Sequence, residues 1–154
     1  ISFSSKPKIS TLTYPPISEF ASKDELLEHK KIIDDIDNKP YILRNSIWVK
    51  VIYNRKTIYF YIDKNYRWNG ANIPAFAWYI IGTPDDPKFR LSSMIHDWTC
   101  EHHVDIGNDR YLSTLMFCGL CRVAGVTEWR LSLAFHSIDN FQKLFGRDLN
   151  RKGW

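Results

Sequence analysis

The residues of this chain best suited to chemistry are a histidine and an aspartate at adjacent positions, His96 and Asp97. An imidazole can transfer a proton near neutral pH, and a neighbouring carboxylate can hold a cation or orient the ring. Two further polar segments flank the doublet: Asn69-Gly70 precedes it, and Asn108-Asp109 follows it. The order of a glycine-containing turn, a His-Asp doublet and a later acid indicates one candidate site, whose members are Asn69, Gly70, His96, Asp97 and Asp109.

A structural role for the same residues is open beside the functional one. His96 stands next to the apolar residue Ile95, and a histidine in such a place often satisfies its nitrogens within the core. Asp109 is suited to cap a helix that begins near Asn108, and Asn69-Gly70 by itself is a turn signal. The sequence therefore leaves two alternatives, a functional site and a buried polar cluster that ties helices together.

The first half of the chain is predicted to contain a helix and a β-hairpin. Residues 1–20 include three prolines and predict an extended arm. The segment Ser22-Lys23-Asp24-Glu25 has the pattern of a capping box and predicts a helix that ends before Asn38. Hydrophobic residues alternate in 46–53 and again in 57–63, which predicts two paired strands with one buried face.

The second half is predicted to be helical. Apolar residues at helical spacing predict a helix that carries His96 and Asp97, and a polar loop at about 101–107 separates it from two more helices. These three helices begin near Phe89, Asn108 and Thr127, and the last two end at Gly125 and Gly146. The predicted fold is α+β: an arm over 1–20, then a single domain over 21–154, with a hairpin and helix followed by a three-helix half.

Composition limits the classes of partner. The chain has 154 residues, the size of one domain, and its aromatic content of 15% exceeds what a core of this size requires, which indicates a binding face. The net charge is +4, and all of the excess lies in residues 1–68. A basic half can favour an anionic membrane surface or nucleic acid, but no dense Lys/Arg cluster is present, so nucleic-acid binding is not expected.

No segment of the sequence is predicted to cross a membrane. The longest unbroken apolar stretch, residues 75–81, is far too short to span a bilayer. The first residues lack the basic start and apolar run of a signal peptide. Because the chain opens on Ile1 rather than Met, secretion remains open.

The three cysteines do not make a disulfide framework. Cys118 and Cys121 lie three residues apart in an apolar run, which predicts buried structural thiols. The alternative is a zinc site that also uses Cys100, His102 and His103. Zinc is the less favoured alternative, because pairs of zinc-binding cysteines usually lie on turns rather than within a helix.

Four stretches resemble a family of phage- and prophage-encoded proteins of unknown function, which has D-G-A-S-I-P, H-D and A-D motifs. These stretches are N-G-A-N-I-P at 69–74, S-M-I-H-D at 93–97, N-D-R-Y-L-S-T-L-M at 108–116 and V-A-G-V-T-E-W-R-L-S-L-A-F-H at 123–136. The resemblance covers roughly residues 45–146, and it departs from the family at Asn69 and Asn72, where the family has Asp and Ser.

The resemblance implies a phage-derived ancestry but no activity. Asn69 in place of Asp, the polar arm with prolines at 1–20 and the surplus of aromatic residues favour a virion, tail or host-interaction protein, associated with the virion or host cell. Its partners would be other phage proteins, and its arm would be a strap for a neighbouring subunit.

The order of the motifs is also similar to that of phospholipase A2 enzymes. This similarity implies that His96 is a general base, that Asp97 binds calcium and that Asp109 orients His96. The loop at Asn69 and Gly70 would supply further calcium ligands, the reaction would be calcium-dependent ester hydrolysis, and membrane lipid would be the substrate.

Three features depart from the phospholipase pattern. The disulfides of most such enzymes are absent, and Asn69 offers calcium a neutral oxygen where a carboxylate is common. Thirteen positions separate His96 from Asp109, so a first helix that continues to Glu101 would leave the two up to ~8 Å too far apart, at a rise of ~1.5 Å per residue. A helix that stops near Thr99 would let them meet. The favoured function is therefore a phage-derived binding protein on a hydrolase-like fold, and the alternative is a phospholipase A2-like hydrolase.

Overall fold

The computed structural model describes residues 1–70, 82, 86–107 and 110–145, and it is an α+β structure, as predicted. Its strands are β1 (Ser2–Phe3), β2 (Ile9–Thr11), β3 (Tyr41–Leu43), β4 (Ile47–Tyr53), β5 (Lys56–Ile62) and β6 (Arg67–Trp68). Its helices are α1 (Lys23–Asn38), α2 (Arg90–Glu101), α3 (His103–Ile106), α4 (Arg110–Val123) and α5 (Glu128–Phe145). The strands form two antiparallel sheets of three: the first sheet has the order β1-β4-β5, and the second has the order β2-β3-β6.

The predicted hairpin is β4 and β5, and its single buried face is confirmed. The inward residues Val49 and Phe60 are paired across the two strands and are 0% and 3% exposed. The connecting residues Asn54 and Arg55 have φ angles of 48° and 63°. Positive φ at both positions is the geometry of a tight hairpin turn whose twist matches that of the strands. This turn fixes which residues of β4 and β5 are paired. Because alternate side chains of a strand face opposite sides of the sheet, the paired residues share a face.

The arm at residues 1–20 contains strands that pair with the chain's own sheets. Phe3 of β1 lies opposite Val49, and Ile9 of β2 lies opposite Leu43. The sequence predicted an extended arm, but it did not predict these partners. Each of these strands pairs along one edge with the chain's own sheet and is the outer strand of that sheet. This pairing counts against the arm as a strap for a neighbouring subunit.

Helix α1 begins at the predicted capping box and continues through Asn38, slightly past its predicted end. The hydroxyl of Ser22 accepts from the Glu25 backbone amide at 3.2 Å, and the Ser22 amide donates to the Glu25 carboxylate at 2.6 Å. No residue of α1 is buried. Polar contacts join it to the second sheet: the Arg67 guanidinium lies 2.6 Å from the Asp35 carboxylate and donates to the Lys39 carbonyl.

The helices α2 and α4 form an antiparallel pair. Thr99 near the end of α2 lies 3.1 Å from Ser113 near the start of α4, measured between hydroxyl oxygens. At the other end, the Cys121 thiol lies 3.1 Å from the Ser92 hydroxyl. One hydrophobic cluster joins the sheets to this pair, and a second fills the space between α4 and α5.

The segment at 101–107 differs from its prediction as a polar loop, because it contains the one-turn helix α3. The ring of His102 donates to the Trp98 carbonyl at 2.9 Å, and the ring of His103 donates to the Cys100 carbonyl at 2.9 Å. The His103 ring gives the Cys100 carbonyl a partner near the end of α2, where carbonyls often lack intrahelical partners. The Trp98 carbonyl accepts from the His102 backbone amide at 3.0 Å as well as from the ring. None of the described helices is long and apolar enough to span a membrane.

Candidate functional site

His96 and Asp97 lie on α2, at the point where it packs against α4. Their side chains are 12% and 15% exposed, and Nδ1 of His96 is 3.5 Å from Oδ1 of Asp97. The edge of the His96 ring meets Phe117 of α4, with ring centroids 5.9 Å apart. The neighbouring residues Met94 and Ile95 are fully buried and hold this part of the helix against the core. The doublet is therefore a largely enclosed polar pair.

The side chains of His96 and Asp97 shift each other's pKa values. Burial acts to lower the pKa of His96, but the Asp97 carboxylate and the adjacent Cys100 oppose it and raise that pKa to about 10. Burial raises the pKa of Asp97, and the interaction with His96 partly offsets this rise. The geometry thus favours an imidazolium beside a carboxylate at neutral pH. An imidazolium has no free lone pair, so in this state His96 cannot take a proton from water.

Cys100 is the third polar group next to the imidazole. It lies one turn after His96, and its Sγ atom is 3.8 Å from each of the two ring nitrogens. A sulfur atom equally distant from both nitrogens does not lie along the N–H bond direction of either nitrogen. The contact is therefore not the aligned thiol–imidazole hydrogen bond that activates a cysteine nucleophile, and Cys100 is itself buried.

A second polar group extends from the doublet towards solvent. The Tyr66 phenol donates to a Glu101 carboxylate oxygen at 3.0 Å, and Nζ of Lys39 lies 3.8 Å from the other. Burial and the carboxylates of Glu101 and Asp97 raise the pKa of Tyr66 well above its usual value. Tyr66 therefore stays protonated and acts as a hydrogen-bond donor at neutral pH.

Sequence reasoning did not place Tyr66 or Glu101 in the site. A signal for Glu101 was available, because it lies four residues after Asp97 and so on the same face of α2. No comparable signal exists for Tyr66, which the fold brings to α2 from the chain just before β6.

Asn69 and Gly70 follow β6 directly. Gly70 is buried and has a φ angle of 95°, which agrees with the turn predicted at Asn69-Gly70, and Asn69 is exposed. The chain here runs along α2 towards its N-terminus, because Tyr66 contacts Glu101 whereas the Trp68 indole donates to Ser93 at 3.1 Å. The next residues, 71–81, which include Asn72, lie outside the described residues.

Asp109, the predicted orienting acid, also lies outside the described residues, together with Asn108. Helix α2 continues to Glu101 rather than stopping near Thr99, which is the less favourable of the two alternatives for a contact between His96 and Asp109. Ser113 is the α4 side chain that bonds to Thr99. The contact between His96 and Asp109 stays a prediction.

The described residues do not by themselves fit a bound calcium ion. Calcium takes about six to eight oxygen ligands, whereas the Asp97 carboxylate is engaged with His96. Among the described residues, no group of three or more His, Cys, Asp or Glu side chains could hold a metal ion. The calcium ligands predicted at Asn69, Gly70 and Asp97 therefore stay a prediction, and no catalytic step is derived through them.

The other two cysteines are structural. Cys118 and Cys121 are free and buried, as predicted, and burial raises their pKa values to about 11 and about 12. Thiols with such values are protonated and unreactive at neutral pH. They contribute to the core between α4 and α5.

Comparison with known proteins places this site within a family. Residues 46–138 match the family model described as "Protein of unknown function (DUF1353)". The chain belongs to the DUF1353 family. No curated protein and no solved structure matches it. The resemblance to a family of unknown function is thus confirmed at that level.

The DUF1353 segment contains the hairpin and the candidate site. It begins just before β4 and ends within α5, so that His96, Asp97 and their partners on α2 and α4 all fall inside it. Helix α1 and strands β1–β3 precede it. The DUF1353 domain of this chain therefore has an N-terminal extension that completes both sheets and adds one helix.

Proposed function

We propose that the protein is a phage-derived virion, tail or host-interaction component that acts by binding other proteins rather than by catalysis. The observation that carries this proposal is the outer face of the first sheet, where large hydrophobic side chains lie in solvent. Trp48, Ile52 and Tyr59 are 54%, 65% and 59% exposed. Contiguous uncovered apolar surface on a small domain is typical of a protein-binding site, and aromatic residues are enriched at such sites.

The state of the His-Asp doublet supports the same proposal. His96 is enclosed, paired with Asp97 and favoured as an imidazolium, which does not suit a general base. The partners of such a component would be other virion or phage proteins, and its place would be the virion or the host cell.

A phospholipase A2-like hydrolase is the second candidate. It is favoured by the order of the Gly70 turn, the His96-Asp97 doublet and the later helix, and by the small solvent-exposed fraction that both side chains of the doublet retain. In this alternative the neutral form of His96 would be the general base, and membrane lipid would be the substrate.

Incorporation into particles tests the binding function. The wild-type chain and a Trp48→Ser/Tyr61→Ser variant would be produced in cells that assemble the particles, and the particles would be purified by density gradient. We expect the wild-type chain to be present in them and the variant to be lost. The matched control is Trp129→Ser/Tyr111→Ser, which removes two exposed aromatic side chains from the helical half instead. A wild-type chain absent from the particles would exclude a virion or tail component. A Trp48→Ser/Tyr61→Ser variant incorporated as fully as the wild type would contradict the role of the outer face.

Hydrolysis of phospholipid vesicles in the presence of calcium tests the second candidate. The proposed binding function predicts no turnover by the purified wild-type chain. Turnover that requires calcium and disappears in a folded His96→Gln variant would establish the hydrolase instead.

A further inference from the structure

Strand β5 is an outer strand of the first sheet, and its sequence leaves the free edge unprotected. Residues 57–62 read T-I-Y-F-Y-I, with no charge, glycine or proline. Proteins usually protect a sheet edge with charges, prolines or bulges, because an unprotected edge pairs with other chains. Among the described residues, only β4 makes backbone hydrogen bonds to β5. Tyr59 and Tyr61 are 59% and 39% exposed, so solvent reaches this part of the strand.

The hydrogen bonds of β4 show which backbone groups of β5 point outward. In an antiparallel pair, opposite residues alternate between bonding to each other and directing their amides and carbonyls away from each other. The Trp48 carbonyl accepts from the Ser4 amide at 3.0 Å, so Trp48 is directed towards β1. Tyr61, which lies opposite Trp48, therefore directs its amide and carbonyl away from β4. Thr57 and Tyr59 share this direction, because they lie at alternate positions before Tyr61.

Two opposite charges flank this edge. Arg55 lies in the turn just before β5, and Asp63 follows the strand directly. Both are exposed, and neither forms an ion pair with another described residue. The two residues are equally distant in sequence from Tyr59, the middle residue of the strand. A two-fold axis at Tyr59 therefore brings Arg55 of one strand opposite Asp63 of another.

We propose that β5 of one copy of this chain pairs antiparallel with β5 of a second copy, about a two-fold axis at Tyr59. The whole of Lys56–Ile62 is then paired, with Thr57 of each copy opposite Tyr61 of the other. The residues whose backbone groups point outward thus meet one another and exchange N–H···O bonds in both directions. Arg55 of each copy meets Asp63 of the other, so opposite charges lie together at both ends of the contact.

Other registers satisfy fewer of these conditions. A shift of one residue sets outward backbone groups opposite groups that already bond to β4. A shift of two residues restores the bonding pattern, but it shortens the overlap and separates Arg55 from Asp63. In the proposed register both β5 edges are used up, so the contact is closed by its symmetry and association stops at a dimer.

The edge and the outer face of the first sheet are different surfaces. The inference therefore goes beyond the proposed binding function and does not rest on it. In the dimer the two sheets of three strands form one sheet of six, and their outer faces lie side by side. The aromatic surface around Trp48 and Tyr59 is then doubled.

Sedimentation velocity on the purified full chain, from about 1 µM to about 1 mM, tests the pairing. The expected result is a mass that rises from that of one chain to that of two and no further. A chain that stays monomeric over this range would overturn the inference, and so would growth beyond a dimer. Either outcome would leave the proposed binding function intact, because particle incorporation measures contacts with other proteins.

Amide hydrogen exchange, measured by nuclear magnetic resonance at low and high protein concentration, identifies the surface that pairs. The amides of Thr57, Tyr59 and Tyr61 should exchange at least about tenfold more slowly in the dimer, because they then donate to the second copy. The amides of Ile58 and Phe60 bond to β4 and are the internal control, protected at both concentrations. A dimer without added protection of Tyr59 would show that another surface makes the contact, and would overturn the inference.

Reversal of the flanking charges tests the register. Arg55→Asp and Asp63→Lys each set like charges together at both ends of the contact, and each should weaken dimerisation about tenfold or more. Aspartate is compatible with the φ angle of 63° at position 55. A mixture of the two variants should dimerise as the wild type does, because opposite charges meet again at both ends of a mixed dimer. A mixture that associates no better than either variant alone would overturn the inference.

A variant on α1 controls for net charge. Lys30→Glu changes the net charge as Arg55→Asp does, but at an exposed position of α1. It should dimerise as the wild type does, and all variants should keep the circular dichroism spectrum of the wild type. Equal loss of dimerisation in Lys30→Glu would show a general effect of charge and would overturn the inference.

Discussion

Nδ1 of His96 lies 3.5 Å from Oδ1 of Asp97, on consecutive residues of one helix and largely enclosed by the core. An enclosed imidazole next to a carboxylate holds its proton more tightly than an imidazole in water does. The pair therefore links protonation to the stability of the fold, and this link can be measured without a substrate.

The stability of the protein should fall as pH rises from about 6.5 to about 10. The pKa of His96 is raised from 6.5 to about 10 on folding, so its stabilising contribution is complete below the unfolded pKa and is lost as pH passes the folded one. Urea unfolding at a series of pH values would show a loss on the order of a few kcal/mol. In the His96→Gln variant this decrease of the unfolding free energy with pH should disappear. The variant His136→Gln, at an exposed position, is the control and should keep the decrease. An unchanged slope in His96→Gln would show that another group is responsible.

The change Asp97→Asn should lower the pKa of His96. The amide keeps the shape of the carboxylate but removes its charge, so burial, which lowers the pKa, is no longer outweighed by the pair. We expect a decrease of about one unit or more. Nuclear magnetic resonance titration of labelled histidine measures it directly, with the exposed Asp105→Asn as the matched control. An unchanged pKa of His96 in this variant would show that a group other than Asp97 stabilises the imidazolium.

The change Ser93→Ala should destabilise the contact between β6 and α2. Trp68 and Ser93 are each 1% exposed, and the indole donates to the serine hydroxyl at 3.1 Å. Without that acceptor a buried donor is left unsatisfied, which costs about 1–3 kcal/mol. Denaturant unfolding measures the loss, and Ser132→Ala, at an exposed position of α5, should change stability very little. Equal stability of the two variants would mean that another acceptor serves the indole.

The change Arg67→Lys should loosen α1 without unfolding the domain. The guanidinium bonds to both the side chain and the backbone of Asp35 and to the Lys39 carbonyl, and a lysine cannot reproduce this fork. We expect several-fold faster tryptic cleavage at Lys30 and Lys31, with the thermal midpoint of the domain nearly unchanged. Arg44→Lys, at an exposed position, is the control. Cleavage at the wild-type rate would show that other contacts hold α1.

Local physics made several elements predictable from the sequence alone. The reciprocal bonds of Ser22 and Glu25 involve residues three apart, so the start of α1 could be inferred without the rest of the fold. Alternation at period two predicted the hairpin and its buried face, and Gly125, with a φ angle of 89°, ends α4 where a glycine was expected to stop it. The adjacency of His96 and Asp97 was likewise evident from the sequence.

Tertiary structure decided the surroundings of these elements. Strand β1 pairs with β4, so Phe3 meets Val49 across most of the N-terminal half, and nothing local in the arm encodes such a partner. The pKa of His96 reflects two opposing influences: its burial in the packed helices lowers it, and the neighbouring Asp97 and Cys100 raise it. The doublet is evident in the sequence, but the extent of burial depends on helix packing, including the contact with Phe117 of α4. Sequence patterns record interactions between near neighbours, whereas burial and strand partners depend on contacts between distant segments, and these contacts exist only in the folded chain.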